Sequence, residues 1–186
     1  MSIKQPLILL MILLIENFVS AQGIEGSIEK YGRTLNLGLG VGYYGYIGHS
    51  IPVLHSDYEL DVAKSFTLAP FVSFYSIIDN YQTQNIKKYY YHETVIPVGV
   101  KATYYFDDLL QAGSNWDFYM SGSAGFAFIY SYWDDGYAGD RGIFRNANPL
   151  FLDLHAGIEY HFNKRLGMFF DLSSGVSTIG IAIHSF

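Results

Sequence analysis

The feature that most constrains this chain is a strict alternation of large apolar residues with small or polar ones. In "TLNLGLGVGYYGY", which begins at Thr34, leucine, valine or tyrosine stands at every second position, with asparagine and glycine between them. A period of two residues is typical of a β-strand, whose successive side chains point to opposite faces. The same period recurs in "LFLDLHAGIEYHF", which begins at Leu150. Both segments are therefore predicted to be long strands.

Six further segments bring the number of predicted strands to eight, which makes the fold class all-β. They are "VLHSDYELDV", "FTLAPFVSFYSII", "TVIPVGVKATYYF", "WDFYMSGSAGFAFIYSY", "LGMFFDLSS" and "TIGIAIHSF". Short links at 63–65 and 163–165 alternate with the longer segments "DNYQTQNIKKYYYHE" and "WDDGYAGDRGIFRNAN", which are predicted to be loops. Short turns on one side and longer loops on the other are typical of transmembrane β-barrels.

The alternation also fits a soluble barrel with its apolar face inward, so the character of the second face decides between the two. That face is small and uncharged over long stretches, as at Asn36, Gly38 and Gly40 and again at Ser121 and Ser123. Such residues make a poor water-facing surface but suit the inside of a narrow barrel, where eight strands leave room only for side chains. We therefore predict that the large residues face lipid, with aromatic residues near the strand ends.

The first residues predict export. Lys4 precedes an apolar run at 7–15, and the small residues 19–21 resemble a cleavage site, so residues 1–21 are predicted to be a signal peptide. The apolar run is well short of the roughly 20 residues that a spanning helix needs. A single barrel domain is expected over 22–186, with strands from about residue 32.

Composition excludes several classes of protein. The chain has no cysteine, which excludes a disulfide framework and a lipid attached through cysteine. With 11 basic and 17 acidic residues, its net charge is −6, so it carries no nucleic-acid footprint.

Together these features resemble the small eight-stranded outer-membrane barrels of the OmpA/OmpX-like type, the outer membrane protein beta-barrel domain group. The resemblance covers roughly Tyr31 to Phe186. It implies an eight-stranded antiparallel up-and-down transmembrane β-barrel in the outer membrane of a Gram-negative-type cell. It also implies contact with outer-membrane lipid and lipopolysaccharide, and it assigns Phe186 as the terminal aromatic that the outer-membrane assembly machinery reads.

The position of Phe186 departs from the usual pattern of that group. The three isoleucines of "TIGIAIHSF" share one face, whereas Phe186 falls on the face of Thr178 and His184. We expect either a bulge near His184 and Ser185 that resets the register, or a Phe186 side chain turned at the periplasmic rim.

The inward positions predict a polar network inside the barrel. Buried charges are costly unless they are paired or hydrated, so these side chains are expected to contact one another or trapped water. The predicted members are His55, Asp57, Glu59, Asp61, Lys101, Asp117, Asp153, His155, Glu159, His161 and Asp171.

No catalytic, cofactor or metal site is expected from the sequence. Metal ligands converge within about 2.2 Å of one point, whereas residues two apart on a strand are separated by more than about 6 Å. The adjacent pair His184 and Ser185 points to opposite faces, and no "GxSxG" motif is present. The predicted role is structural or surface interaction. A narrow pore or small-solute channel is the first alternative, and a lipid-modifying enzyme is the second.

The outer segments are candidates for contact with lipopolysaccharide or an extracellular partner, because they combine aromatic rings with charges. The candidate residues are Lys87, Lys88, Tyr89, Tyr90, Tyr91, Trp133, Asp134, Asp135 and Arg141.

Two prolines conflict with a closed barrel, which has no free edge on which a missing N–H could face solvent. Pro70 and Pro97 both fall within predicted strands. Bulges or early strand ends are the expected solutions.

Overall fold

The computed structural model describes residues 33–42, 51–82, 88–106, 115–137 and 149–185. These residues form eight strands, and none of the described segments is a helix long and apolar enough to cross a membrane. The strands are β1 (Arg33–Gly42), β2 (Ile51–Ala63), β3 (Phe66–Gln82), β4 (Lys88–Tyr105), β5 (Trp116–Trp133), β6 (Leu150–Asn163), β7 (Leu166–Ser173) and β8 (Val176–Ser185). The predicted signal peptide at 1–21 lies outside the described residues.

The strands close into a barrel in which each one pairs antiparallel with its neighbours in the chain. The last strand completes the ring, because β8 pairs with β1 over ten residue pairs, from Arg33 opposite Ser185 to Gly42 opposite Val176. This pairing satisfies the backbone N–H and C=O groups that would otherwise form a free sheet edge. The prediction of an eight-stranded antiparallel up-and-down barrel is confirmed. Phe186 and its register lie outside the described residues.

The two faces are distributed as predicted, with large apolar side chains on the outside. In β6, for example, Leu152 and Leu154 are 65% and 72% exposed, whereas Asp153 between them is 3% exposed. Side chains that are more than half exposed occur all round the barrel: Leu39, Leu54, Ile78, Met120, Phe126, Phe128, Tyr130, Tyr132, Leu152, Leu154, Phe162, Leu172 and Ile179. A surface of this kind is suited to lipid and is unsuited to water.

The strands differ in length, so one side of the barrel wall is taller. Strands β3, β4 and β5 contain 17, 18 and 18 residues, whereas β7 and β8 contain 8 and 10. The prediction of a long loop at "DNYQTQNIKKYYYHE" is wrong for most of that segment, because β3 continues to Gln82 and β4 begins at Lys88. The segment is rich in polar residues, which favoured a loop, but its two ends pair as strands from Asp79 opposite Tyr91 to Gln82 opposite Lys88.

Neither proline ends a strand or coincides with a shift of register, so that prediction is also wrong. Opposite Pro70, the pairing of β3 with β2 lapses and then resumes in the same register, while Pro70 still pairs with Val100 of β4. Pro97 likewise pairs with Ala127 of β5, and the pairing of β4 with β3 lapses beside it. A strand residue directs its N–H toward one neighbour only, so each proline interrupts the pairing on one side.

The two register shifts lie instead beside the short turns at the end of the barrel that holds Arg33 and Ser185. One falls between Asp61 and Ala63, next to a turn in which Ser65 adopts a positive φ of 60°. The other falls between His161 and Asn163. These shifts are β-bulges, which increase local twist and commonly accompany tight hairpins.

Candidate functional site: the filled lumen

An apolar layer closes the lumen toward the end of the barrel opposite the short turns. It consists of Val53, Tyr75, Val95, Ala127 and Val176, which are all buried and packed together from five different strands. Their inward positions follow from the alternation, but their meeting across the barrel depends on the stagger between strands.

Above this layer, at the top of the tall side of the wall, aromatic rings fill the interior. Trp133 stacks on Tyr137 with ring centroids 4.0 Å apart, and Tyr91 packs against Trp133 at 5.1 Å. Tyr89 contacts the edge of Tyr137 at 5.3 Å. Below Tyr91, Glu93 accepts a hydrogen bond from the Tyr91 hydroxyl.

Lys101 lies at the centre of the polar network below the apolar layer. Its Nζ is 2.7 Å from Asp57 Oδ2 and 3.6 Å from Glu59 Oε1. Asn36 Nδ2 donates to the same two carboxylates, at 2.9 and 3.0 Å. Among the side chains that the structure describes, Lys101 is the one buried lysine or arginine. It therefore compensates two buried carboxylates at once, with neutral donors completing their shells.

Glu59 also accepts two hydroxyl hydrogen bonds from other strands. Thr67 Oγ1 donates to Glu59 Oε2 at 2.9 Å, and the Tyr105 hydroxyl donates to the same oxygen at 2.7 Å. The network thus joins β1, β2, β3 and β4.

Two serine–histidine–aspartate arrangements lie between this centre and the apolar layer. Ser123 Oγ is 3.0 Å from His155 Nε2, and His155 Nδ1 is 2.9 Å from Asp171 Oδ1. In the second arrangement, His55 contacts Ser73 at 2.8 Å and Asp57 at 3.0 Å. Both border a cavity of about 10 Å³, which has room for about one water molecule.

Asp153 performs a different task, since it holds the two-residue turn between β7 and β8. Its oxygens accept hydrogen bonds from the backbone N–H groups of Gly175 and Val176, at 2.8 and 3.0 Å. The hydroxyls of Ser173 and Ser174 donate to it at 2.9 and 2.7 Å. The carboxylate lies at the end of an adjacent strand, where it satisfies a turn that water would otherwise hydrate.

The lumen near the short turns holds a cluster of histidines and acids. His184 Nε2 is 2.8 Å from Glu159 Oε1, and His161 Nε2 is 2.7 Å from Asp117 Oδ2. The two imidazole rings lie 4.9 Å apart.

The structure brings together ten of the eleven residues predicted for the polar network, in contacts with other interior side chains. Asp61, the eleventh, also has an interaction partner, but it is only half-buried and lies beside the bulge at the short turn. Sequence reasoning missed the partners that complete the network, since hydroxyls, an amide and a histidine far along the chain carry no spacing signal: Thr34, Asn36, Thr67, Ser73, Tyr105, Tyr119, Ser123 and His184.

The residues predicted for surface-loop contacts are divided between the wall and the interior. Tyr89, Tyr90 and Tyr91 belong to β4 rather than to a loop, and Tyr91 is only 2% exposed. Trp133 is the last residue of β5 and packs inward. The period of two places Tyr91 and Trp133 on the lumen side, where they cannot serve as surface contacts. Lys87 and Arg141 lie outside the described residues, as does the side chain of Lys88.

Asp134 and Asp135 follow β5 directly. Asp134 joins the tops of β4 and β5, because Oδ2 accepts from the Tyr90 N–H at 3.1 Å and Oδ1 is 3.2 Å from His92 Nε2. Asp135 is exposed.

Aromatic residues ring the outside near both ends of the barrel, as predicted. Near the short turns, Trp116 packs against Tyr160 at 4.8 Å. Near the opposite end, Tyr132 stacks on His92 at 4.7 Å, and Tyr130 is 62% exposed. Along β5, the twelve steps from Phe118 to Tyr130 rise about 30 Å once strand tilt is included, which is close to the thickness of a bilayer core.

No family model matches the sequence, and no curated protein matches it. Solved structures that resemble the chain include a de novo designed transmembrane β-barrel, at 14% identity and a TM-score of 0.44, covering 81% of this chain and 93% of that one. Two solved structures of Ail, the attachment invasion locus protein of Yersinia pestis, also resemble the chain, each at 9% identity. Its crystal structure with the heparin analogue sucrose octasulfate has a TM-score of 0.44 and covers 81% of this chain and 95% of that one. Its backbone structure in a phospholipid bilayer nanodisc has a TM-score of 0.41 and covers 83% and 99%.

Because all three TM-scores are below 0.5, the fold type follows from the strand pairing and from the two faces of the barrel wall. The chain has a closed ring of antiparallel strands, an apolar exterior with aromatic girdles and a polar interior. It is an eight-stranded up-and-down barrel of the transmembrane type.

Proposed function

We propose that this protein is an integral outer-membrane barrel with a structural and surface-interaction role, whose lumen is plugged by its own side chains. The observation that carries the proposal is the inversion of the usual arrangement, with exposed leucine, isoleucine and phenylalanine outside and buried carboxylates inside. The predicted signal peptide supports delivery beyond the inner membrane.

Membrane residence is tested by fractionation and by gel mobility. The protein should be recovered with outer membranes, and the folded and boiled forms should migrate differently on a denaturing gel. Recovery in the soluble fraction together with identical mobility of the two forms would contradict the proposal.

The absence of cysteine allows the orientation to be mapped with single-cysteine variants. Asp135→Cys, beyond the top of β5, should react on intact cells with a maleimide that cannot cross membranes. Lys164→Cys, in the exposed turn between β6 and β7, should react only after the outer membrane is permeabilised. Labelling of Lys164→Cys but not of Asp135→Cys on intact cells would place the short turns outside the cell, which is the reverse of this orientation.

A plugged lumen is supported by the apolar layer and by the small size of the cavity below it, about 10 Å³. We expect planar bilayers containing the purified barrel to show no stable conductance steps. Reproducible steps that disappear with heat-denatured protein would replace the plugged barrel with a narrow pore.

The arrangement of Ser123, His155 and Asp171 raises hydrolysis as a second candidate, because it matches the order of groups that activates a serine. Ser123 is buried beside a cavity that fits a water molecule and not an acyl chain, which favours a structural role. A fluorophosphonate probe should therefore leave the folded barrel unlabelled. Labelling that Ser123→Ala abolishes would identify a hydrolase.

Contact with lipopolysaccharide is assigned to the exposed aromatic residues at the tall end of the wall. Tyr90 and Tyr132 are 43% and 62% exposed there, whereas Tyr104, 49% exposed, provides a matched control near the short turns. The double variant Tyr90→Ala/Tyr132→Ala should bind lipopolysaccharide in mixed micelles more weakly than wild type, and Tyr104→Ala should not. Equal loss in both would reduce these residues to general lipid contacts.

A further inference from the structure

Three metal-ligating side chains converge inside the barrel near the short turns. They are Glu159 and His161 of β6 and His184 of β8, and one donor atom of each lies within 4.8 Å of the other two. Glu159 Oε1 is central, at 2.8 Å from His184 Nε2 and 3.7 Å from His161 Nδ1. In a tetrahedral zinc site, bonds of about 2.0 to 2.2 Å place neighbouring donors roughly 3.4 Å apart. The two separations from Glu159 Oε1 lie on either side of this value, and the three donor atoms are all within 4.8 Å of one another.

Both imidazole rings are already oriented by their other nitrogen. His184 Nδ1 is 2.8 Å from Thr34 Oγ1, and His161 Nε2 is 2.7 Å from Asp117 Oδ2. Metal-bound histidines characteristically hold their second nitrogen in this way, through a carboxylate or another oxygen that fixes the ring. The partners leave Nε2 of His184 and Nδ1 of His161 directed toward Glu159.

The neighbouring strand leaves space for the Glu159 carboxylate. A Cβ atom at Gly167 of β7 would collide with Glu159 Oε1. Glycine at this inward position therefore admits the carboxylate between the two rings.

Charge and access also favour a cation. Glu159 is 5% exposed, and the buried ammonium of Lys101 contacts Asp57 and Glu59 instead. The side chains of His161 and Asp117 are 22% and 13% exposed, compared with 6% for His184. His161 and Asp117 are thus the more exposed members of the cluster, on the side of the short turns.

We propose that Glu159, His161 and His184 form a binding site for a divalent transition metal ion, with Zn²⁺ as the best match. Two imidazole nitrogens and one carboxylate form a donor set that suits zinc and is unlike the all-oxygen sets of Mg²⁺ and Ca²⁺. Three protein donors leave a fourth position for water. Asp117 and Thr34 are positioning residues that hold the two rings.

The test uses tag-free, full-length mature protein folded in detergent micelles and stripped with a chelator that is then removed. Titration with Co²⁺, followed by its visible absorption, should show one ion per barrel, and Zn²⁺ should displace it. His184→Gln and Glu159→Gln should abolish the Co²⁺ spectrum. Asp117→Asn should retain the spectrum but weaken affinity by about 10- to 100-fold.

His155→Gln is the matched control, because it removes another buried lumen histidine that contacts a carboxylate. Each variant is first shown to fold by its gel mobility, so that loss of binding is not loss of structure. Folded wild type that binds neither ion, or His184→Gln that binds like wild type, would show that the cluster is only a hydrogen-bonded network. Equal loss in His155→Gln and His184→Gln would also overturn the site.

Discussion

At the scale of single residues, the described part of the interior is organised around the ammonium group of Lys101. Lys101 Nζ contacts Asp57 at 2.7 Å and Glu59 at 3.6 Å, and all three side chains are nearly inaccessible to solvent. Removing one partner from such a group leaves an uncompensated buried charge. This is more destabilising than replacing the whole ion pair with apolar residues of similar volume.

We expect Lys101→Met to lower the free energy of unfolding by about 3 to 5 kcal/mol. The measurement is equilibrium urea unfolding of the barrel in lipid vesicles. Lys164→Met, in an exposed turn, is the control and should change the value by less than about 0.5 kcal/mol. A Lys101→Met barrel as stable as the control would mean that water or a proton compensates the two carboxylates.

For single residues, the sequence predicts which face of a strand a side chain occupies, but it does not predict the partners of that side chain. Alternation along β6 correctly placed Asp153, His155 and Glu159 on the inward face, because facing depends only on the parity of the position. Their partners could not be read in the same way. Ser123, for example, meets His155 because of the register between β5 and β6, which spacing along one strand does not contain.

At the scale of elements, the short turns show how local hydrogen bonds fix register. Asn163 Oδ1 accepts hydrogen bonds from the N–H groups of Arg165 and Leu166, at 2.8 and 3.1 Å. This side chain closes the hairpin between β6 and β7 beside the bulge. Asparagine suits such a turn because its short amide reaches the backbone two residues ahead.

Asn163→Ala should destabilise the barrel by about 1 kcal/mol, because it removes the acceptor of two backbone N–H groups at an exposed turn. Asn163→Asp keeps an acceptor oxygen and should remain within about 0.5 kcal/mol of wild type. The same urea titration measures both. Equal destabilisation by the two substitutions would indicate that the amide N–H₂, and not its oxygen, matters.

Element boundaries were harder to predict than element identity. The tops of β3 and β4 contain polar and charged residues, so 79–93 was predicted to be a loop, yet the strands pair through to Gln82 and Lys88. A strand segment above the membrane does not contact lipid, so it needs no apolar face. The alternation of apolar and polar residues that predicts a strand is therefore absent there. The two prolines led to the prediction of bulges or early strand ends, yet the strands continue through both. One missing N–H interrupts the pairing with only one of the two neighbouring strands.

At the scale of the whole molecule, the distinction between a lipid-facing and a water-facing exterior has measurable consequences. Leu154 is 72% exposed on the outer face of β6. A charge at that position would contact hydrocarbon in a bilayer, whereas in water it would be an ordinary surface residue.

Leu154→Lys should make folding into phospholipid vesicles less favourable by about 2 to 4 kcal/mol. Ala63→Lys, an equal change of charge at the exposed end of β2 beside a short turn, should have a much smaller effect. If Leu154→Lys is neutral, the outer face of the barrel is not embedded in lipid, and the transmembrane assignment fails.

The unequal height of the wall makes the two sides of the barrel different within the membrane plane. Strands β3, β4 and β5 are about twice as long as β7 and β8, so rotation about the membrane normal does not leave the outline unchanged. Among the described residues, a membrane-bound neighbour on the side of β3, β4 and β5 meets longer strands than one on the side of β7 and β8. The surface that such a neighbour meets therefore depends on its direction of approach.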